Sequence, residues 1–337
     1  MGPKQGVDRR ALMDIAVFDE HAAPFSAEVT LEAAETDALT TCALARLARI
    51  LKCAESDART RAAQLLTARE METYLRESVM NRAGDRALAE ACPPFVGEPK
   101  TEALTDFFEG APFSFRITVH PVPAMDLDME TPIARRAKKR ASARGGERTN
   151  AQGSEGCDEA AKASETPADE SRPGPSDDEA AAREGDSPLP RDVEGRTDEE
   201  FVAETLRARL NGTVPDALVD DAFSRKKEEF MAELAESGIT YREYRIANRV
   251  KPQDVKDALA DEAFDDLTRD IALDTVFMKQ GLETTVEDET AVLADMAPGR
   301  EASLRGELEA TGKLWMLAQK TRRATALRWA MGHLLEK

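Results

Sequence analysis

A run of amphipathic helices over residues 213–337 constrains the fold more than any other feature of this sequence. It opens with Pro215, a residue typical of the first turn of a helix. Apolar residues then recur at a spacing near 3.6 and share one face: Leu218, Ala222, Phe223, Phe230, Met231 and Leu234. Gly238 is expected to end this helix, and Thr240 with Glu243 has the spacing of a capping box for the next.

Two further helices are predicted by the same periodicity. One covers residues 259–278 and the last covers residues 314–335. Nothing in this region alternates in the way that a strand does. The sequence therefore predicts an all-α C-terminal domain, which we assign to residues 196–337.

The composition argues against several classes of protein. Acidic residues outnumber basic ones, 65 to 46, and the formal net charge of -19 disfavours specific binding to nucleic acid. Aromatic residues make up only 5% of the chain, which favours helix over sheet. The four cysteines are scattered without a Cys-x-x-Cys pair, so we expect no metal site and no cofactor.

The same sequence indicates where the protein works. No apolar run approaches the ~20 residues that a membrane span needs. The first residues lack the hydrophobic region of a signal peptide. We therefore expect a cytoplasmic protein that has no membrane partner.

The N-terminal half combines strands with helices. Two short strands around a turn are predicted over residues 12–31, and two helices over residues 33–53 and 58–90. Pro93 and Pro94 then introduce a segment that we interpret as rich in turns.

The clearest strand of the sequence covers residues 113–119. Its apolar residues alternate with polar ones and are Phe113, Phe115, Ile117 and Val119. Together with the two earlier strands and the helices, this strand predicts an α+β domain over residues 1–130.

Residues 131–195 differ in composition from both neighbours. A basic block at residues 135–140 precedes an acidic stretch rich in proline and glycine, with few side chains large enough to fill a core. Such a composition does not offset the entropy lost on ordering, so we predict a disordered charged linker. We interpret the basic block as solvated linker rather than as a contact to RNA or lipid.

The motifs of the C-terminal run resemble those of a known family in their order and spacing. They are Val214-Pro215-x-x-Leu218-Val219-Asp220-Asp221, Leu234-x-x-x-Gly238-Ile239-Thr240, Lys279-Gln280-Gly281-Leu282-Glu283 and Thr311-Gly312-Lys313-Leu314. Together they resemble the C-terminal domain of bacterial trigger factor. The resemblance implies a helical cradle that holds unfolded polypeptide.

The N-terminal half is similar to the ribosome-docking domain of the same family. The order strand, strand, helix, helix, strand, strand matches, and His120-Pro121-Val122-Pro123 resembles the Tyr-Pro-x-Val that follows the family's last long strand. The family's ribosome-binding loop, Gly-Phe-Arg-x-Gly-Lys-x-Pro, is degenerate here. Residues 50–59 replace it and carry Glu55 and Asp57.

Ribosome docking is therefore doubtful. Acidic side chains at this place oppose contact with ribosomal RNA, and the cations that flank it are Lys52, Arg59 and Arg61. We interpret these three residues as a solvated helix face, while a retained ribosome contact stays an alternative.

The family would also imply peptidyl-prolyl cis-trans isomerase activity. The sequence between Thr131 and Phe201 has no aromatic residue and no strand pattern, so the isomerase domain is predicted to be missing. We expect no catalytic residues.

Two functions remain open. The first is a trigger factor-like chaperone that holds unfolded or nascent chains without ATP. The second is a helical assembly or scaffold protein that binds one fixed partner or itself. The candidate client-binding side chains are apolar and mostly flexible: Met231, Met278, Met296, Met316, Leu317 and Met331.

Overall fold

The computed structural model of the protein describes residues 13–17, 24–134 and 197–335. The described residues on both sides of the long gap belong to one compact unit. The predicted disordered linker and the predicted loss of an isomerase domain concern residues that lie almost entirely outside the described ranges.

A four-stranded antiparallel sheet and two long helices form the N-terminal half. The strands, in the spatial order β1-β2-β4-β3, are β1 (Met13–Val17), β2 (Phe25–Leu31), β3 (Phe95–Ala103) and β4 (Phe113–Pro121). The helices are α1 (Ala33–Leu51), the short α2 (Ala58–Ala62) and α3 (Ala68–Ala91). The predicted combination of strands and helices in this half is confirmed.

Strand β4 lies at the centre of the sheet and supplies much of its core. Phe113, Phe115, Ile117 and Val119 are all buried against α1 and α3, as their alternation predicts. A Cβ atom on Gly84 of α3 would lie 3.0 Å from Cδ1 of Ile117. The helix can approach the strand this closely because position 84 has no side chain.

The second predicted helix is interrupted. It ends at Ala62, and α3 begins after a new cap in which Thr67 Oγ1 accepts a hydrogen bond from Glu70 N at 3.2 Å. The Glu70 carboxylate in turn accepts one from Thr67 N at 2.7 Å. This capping box starts a second helix, so the prediction of one continuous helix was wrong.

Strand β3 occupies the segment that was interpreted as turns. Gly97 and Pro99 interrupt its alternation, and the pairing of β3 with β4 shifts register between Val96 and Lys100. An irregular strand of this kind lacks the period-2 pattern by which strands are recognised.

The C-terminal region is helical, as predicted. Its helices are α4 (Asp198–Ala208), α5 (Asp216–Glu236), α6 (Tyr241–Asn248), α7 (Pro252–Lys279), α8 (Val286–Met296), α9 (Glu301–Thr311) and α10 (Leu314–His333). The predicted capping box of Thr240 and Glu243 is present. A two-residue pairing joins β5 (Asp126–Leu127) to β6 (Leu210–Asn211).

Two hydrophobic clusters include residues from both halves of the chain. One cluster brings Val96 and Met125 together with Leu218 and Ile271. The other contains Ile133, whose backbone N donates a hydrogen bond to Leu334 O at 2.6 Å. Residues 131–134, which the sequence assigned to the linker, therefore pack against the C-terminal helices.

The start of α10 is fixed by the N-terminal half. The Asp85 carboxylate on α3 accepts hydrogen bonds from Trp315 N at 2.9 Å and Leu314 N at 3.3 Å. Gly312, at φ +65°, lies so close to α3 that a Cβ atom there would be 2.3 Å from Asn81 O. The turn between α9 and α10 thus docks on α3 because residue 312 is glycine.

Candidate functional site

A cleft of about 550 Å³ opens between α5 and α7 on one side and α8 and α10 on the other. Most of its lining side chains are charged: Arg225, Lys226, Glu229, Asp266, Arg269, Asp270, Asp295, Lys320 and Arg323. Met296 is the one predicted client-binding residue among the side chains that line it. The cleft therefore differs from the apolar inner surface that the sequence suggested.

A buried ion-pair network joins α7 to α10 beside the cleft. Asp274 is fully buried, and its carboxylate accepts hydrogen bonds from Arg322 Nε at 2.7 Å and from an Arg323 nitrogen at 3.1 Å. Arg323 also pairs with Asp270 at 2.6 Å, and Arg322 donates to Phe95 O at 3.0 Å. Because each charge has a partner, the network holds α10 in one position against α7.

Asp270 lies at the edge of this network, where its side chain is still partly exposed. Burial raises the pKa of the Asp270 carboxyl, and the nearby Arg323 guanidinium only partly opposes that shift. The proton affinity of the side chain is therefore set more by desolvation than by its counter-ion.

Further ion pairs connect α4, α5 and α7. The Lys226 ammonium on α5 contacts Glu262 at 2.8 Å and Asp266 at 3.2 Å. Burial acts to lower the pKa of Lys226, but the hydrogen bonds to these two carboxylates outweigh it and raise the pKa. Arg269 on α7 reaches Glu204 on α4 at 2.6 Å. These ion pairs add to the apolar packing of the same helices on one another.

The predicted client-binding residues fall into three groups. Met231 and Met278 are 43% and 39% exposed and lie on α5 and α7. Met296, Met316 and Met331 are half-buried, and Met331 packs against a hydrophobic cluster.

Leu317 forms the third group by itself. It is only 2% exposed and packs with Leu293 and Leu308 in a cluster of its own. Its side chain is core, so the expectation that it offers surface to a client is corrected.

Sequence reasoning missed other apolar side chains that the structure places in solvent. On the C-terminal helices and their turns these are Ile239, Ile246, Phe264 and Val286. Helix α6 has no buried residue and is held to α5 mainly by edge-to-face contacts of Phe230 with Tyr241 and Tyr244. The amphipathic spacing over residues 241–248 is a sequence signal for an apolar face on α6, but it does not show that this face stays uncovered.

We call the end of the N-terminal half formed by residues 50–66 and the start of α3 the N-terminal tip. It carries the three cations considered for ribosome contact. Lys52 ends α1 in the left-handed conformation, at φ 51°. Arg59 is paired with Glu109, and Arg61 donates a hydrogen bond to Gln64 Oε1 at 2.9 Å. Because Glu109 neutralises Arg59, the tip offers less positive charge than its sequence suggests.

Beside these cations lies a groove of about 760 Å³ between the start of α3 and the β3–β4 connection. Its apolar lining includes Leu66, Met71, Leu75 and Phe107, and Phe108 at its rim is 65% exposed. The tip is thus partly apolar, unlike a surface built for phosphate.

The described ranges contain no group of three His, Cys, Asp or Glu side chains placed to hold a metal ion. Nor do they contain a helix long and apolar enough to cross a membrane. Burial raises the pKa of the Cys92 thiol to about 12, so this cysteine stays protonated at neutral pH.

The sequence of the helical region, in addition to its fold, indicates the class of protein to which it is similar. Residues 191–331 match the family model for the C-terminus of bacterial trigger factor protein. The match covers 141 of the 337 residues; it confirms the resemblance of this region and supports a trigger factor-like protein. A comparison with curated proteins and another with solved structures each find no match.

Proposed function

We propose that the protein is a trigger factor-like chaperone that holds unfolded or nascent polypeptide on helices α5–α7 and assists its folding without ATP. The observation that carries the proposal is the match of residues 191–331 to the trigger factor C-terminus. Support comes from the apolar side chains that the same region leaves in solvent, among them Met231, Ile246 and Met278.

The proposed mechanism is binding without chemistry. Each exposed side chain that a client covers contributes about 25 cal/mol of favourable binding free energy per Å² of apolar area removed from water. Much of this gain is offset by the lost freedom of client and side chains, which keeps the complex weak enough for release. Methionine suits such a surface because its thioether chain adapts to many shapes.

A second candidate function is favoured by one observation. The charged cleft between α5/α7 and α8/α10 has a fixed pattern of cations and carboxylates. Such a pattern suits one partner with a complementary arrangement, or a second copy of the chain, better than it suits varied unfolded clients.

Ribosome docking through the N-terminal tip and prolyl isomerisation are not part of the proposal. Arg59 is neutralised by Glu109, and an apolar groove adjoins it. The proposal does place the protein in the cytoplasm, where nascent chains emerge.

The test is aggregation of a chemically denatured reporter enzyme, diluted into buffer with the full-length protein. The wild type should delay aggregation, and the double variant Ile246→Ser/Met278→Ser should shorten the delay at least threefold. The matched control is Leu65→Ser, because Leu65 and Ile246 are both 66% exposed but Leu65 lies in the N-terminal half. All variants should keep the wild-type circular dichroism, since exposed positions contribute little to stability.

Two results would contradict the proposal. One is a wild-type protein that leaves aggregation unchanged, and the other is equal loss of activity in the double variant and in Leu65→Ser. Mass measurement in solution would then test whether the protein self-associates through the charged cleft.

A further inference from the structure

We propose that a cavity between the two halves of the chain binds a small uncharged molecule that has an apolar body and one carbonyl oxygen. The inference goes beyond the proposed chaperone function and does not depend on it. The cavity has a volume of about 470 Å³, within the range of pockets that enclose small organic ligands. We call it the junction cavity. Its lining comes from the end of α3, the start of β3 and the turn between them, and from α7, α8, α9 and α10 with the α7–α8 turn.

Large apolar side chains form much of the lining of the junction cavity. Leu88, Phe95 and Leu317 are buried residues of this lining. Phe277 and Trp315 also line the cavity and are only partly buried. The ring centroids of Phe95 and Trp315 are 6.2 Å apart. A ligand with an apolar body would cover this surface and remove it from water, which favours binding.

The turn after α3 lines the cavity without offering it free polar groups. Pro93 and Pro94 have no backbone N–H to donate. The carbonyl oxygen of Pro93 accepts a hydrogen bond from Cys92 Sγ at 3.2 Å, and that of Pro94 accepts one from Val122 N at 3.0 Å. Because both carbonyl oxygens already have donors, a ligand does not need to supply any to this wall.

Arg322, in contrast, has unused hydrogen-bond donors. Its side chain is only 9% exposed, and it donates from Nε to Asp274 at 2.7 Å and from Nη2 to Phe95 O at 3.0 Å. Its Nη1 has no hydrogen-bond partner within the described ranges, but it is not sealed from solvent as the Nε atoms of Arg76 and Arg245 are. The N–H groups of Nη1 are therefore accessible from the cavity that Arg322 lines, and they can donate to an acceptor on a ligand.

The cations that line the cavity are all balanced by carboxylates. Arg86 pairs with Glu35 at 3.1 Å, and Arg305 pairs with Glu289, which lines the cavity as well. The third lining cation is Arg322, which pairs with Asp274 as described above. A ligand therefore finds no unpaired cation to neutralise, which favours an uncharged molecule over an anion.

Asp85 is a further argument against an anionic ligand. Its carboxylate lines the cavity and accepts hydrogen bonds from the backbone N–H groups of Leu314 and Trp315. Burial raises the pKa of the Asp85 carboxyl, although these two hydrogen bonds oppose the shift. A second carboxylate would be desolvated in the same surroundings and repelled by Asp85. An ammonium group would offer no acceptor to Arg322, so a neutral carbonyl is the group that suits the cavity best.

The experiment measures tryptophan fluorescence of the full-length protein that carries Trp329→Phe. Trp315 is then the only tryptophan of the chain, and it lines the cavity. The probes are 3-phenylpropanamide, 3-phenylpropanoate and 3-phenylpropylammonium, which share one apolar body and differ in the polar group at its end. The amide should bind roughly fivefold more tightly than either charged probe, because it alone combines an acceptor for Arg322 with no charge to desolvate.

Ala318→Phe tests whether the amide binds in the junction cavity. Ala318 is an exposed residue of α10 that lines the cavity, so the added ring should occupy the cavity with little effect on stability. The affinity for 3-phenylpropanamide should fall roughly tenfold, because the body of the probe loses most of its apolar contacts. Ala235→Phe, at an exposed position of α5, is the matched control and should leave the affinity unchanged.

Arg322→Lys tests the donor. Lysine keeps a positive charge beside Asp274 but lacks the planar fork of guanidinium donors. The variant should lose most of the preference for the amide over the ammonium probe. A cavity that was merely loosened by the substitution would instead bind all three probes more weakly by a similar factor.

Three results would overturn the inference: no binding of the amide, binding of 3-phenylpropanoate as tight as or tighter than that of the amide, or amide binding that Ala318→Phe leaves unchanged. Ala318→Phe should delay aggregation of the reporter enzyme as long as the wild type does. A delay as short as that of Ile246→Ser/Met278→Ser would identify the cavity as a client site and would also overturn the inference. If the amide binds as expected but the wild type does not delay aggregation, the chaperone proposal fails and the ligand site stands.

Discussion

The β-sheet of the N-terminal half and the α5–α6 region of the C-terminal half use apolar residues in opposite ways. Strand β2 buries every second residue from Phe25 to Leu31. In contrast, α5 buries only Leu218, Ala222 and Leu234, and α6 buries none. The difference shows that apolar residues in this chain are not all committed to a core, and those outside it remain available for a partner.

The two regions also differ in what holds them. The sheet and its helices enclose one large apolar cluster, and the C-terminal helices contribute to apolar clusters of their own. Helices α4, α5, α7 and α10 are connected in addition by ion pairs that include Asp274, Glu204 and Lys226. Where ion pairs add to apolar packing in this way, part of the stability depends on pH and on complete pairing.

The largest expected effect tests the sheet side of the comparison. Phe115→Ala removes a fully buried ring and should lower the free energy of unfolding by about 3–5 kcal/mol, measured by urea titration. Phe264→Ala on α7 is the matched control, because Phe264 is 42% exposed and its truncation should cost only about 1–2 kcal/mol. Similar losses from the two variants would show that α7 also buries its aromatic side chain, and the comparison would break.

The second prediction tests the charge-held side. Asp274→Ala leaves Arg322 and Arg323 without their shared carboxylate and should cost about 3 kcal/mol. Asp261→Ala, at an exposed position of the same helix, should be nearly neutral. A loss below about 1 kcal/mol for Asp274→Ala would mean that apolar contacts alone position α10.

Local patterns predicted much of this fold. The alternation over residues 113–119 identified β4, and the spacing of Thr240 with Glu243 identified the start of α6. Both signals depend on neighbours in the sequence. Strand β3 was missed because Gly97 and Pro99 remove its alternation.

Features that depend on distant residues could not be predicted in this way. Leu317 is buried because Leu293 and Leu308 pack on it from other helices, and periodicity does not distinguish such a residue from an exposed one. Asp274 is buried because its counter-ions arrive from α10. The same limit applies to the candidate surface, since Ile246 is exposed only because no element covers α6.

The smallest predicted effect is a dependence on pH, and it sharpens the comparison most directly. Glu204 accepts hydrogen bonds from Arg269 and Arg207. Burial acts to raise the pKa of the Glu204 carboxyl, but these two arginines outweigh it and the pKa is lowered. The folded state therefore binds this proton less readily than the unfolded state, whose glutamate has a pKa of about 4.3.

This difference fixes the sign of the pH effect. The stability from Glu204 is present above pH ~4.3 and is lost as pH falls through the folded pKa. Glu204→Gln should thus cost about 1 kcal/mol at pH 7 and progressively less below pH ~4. Urea titrations at pH 7, 5, 4 and 3 measure the change. The cost of Phe115→Ala is the control and should stay constant over the same pH range, because that substitution removes no charge. If the cost of Glu204→Gln were constant as well, the ion pairs of Glu204 would contribute nothing to the stability of the helices.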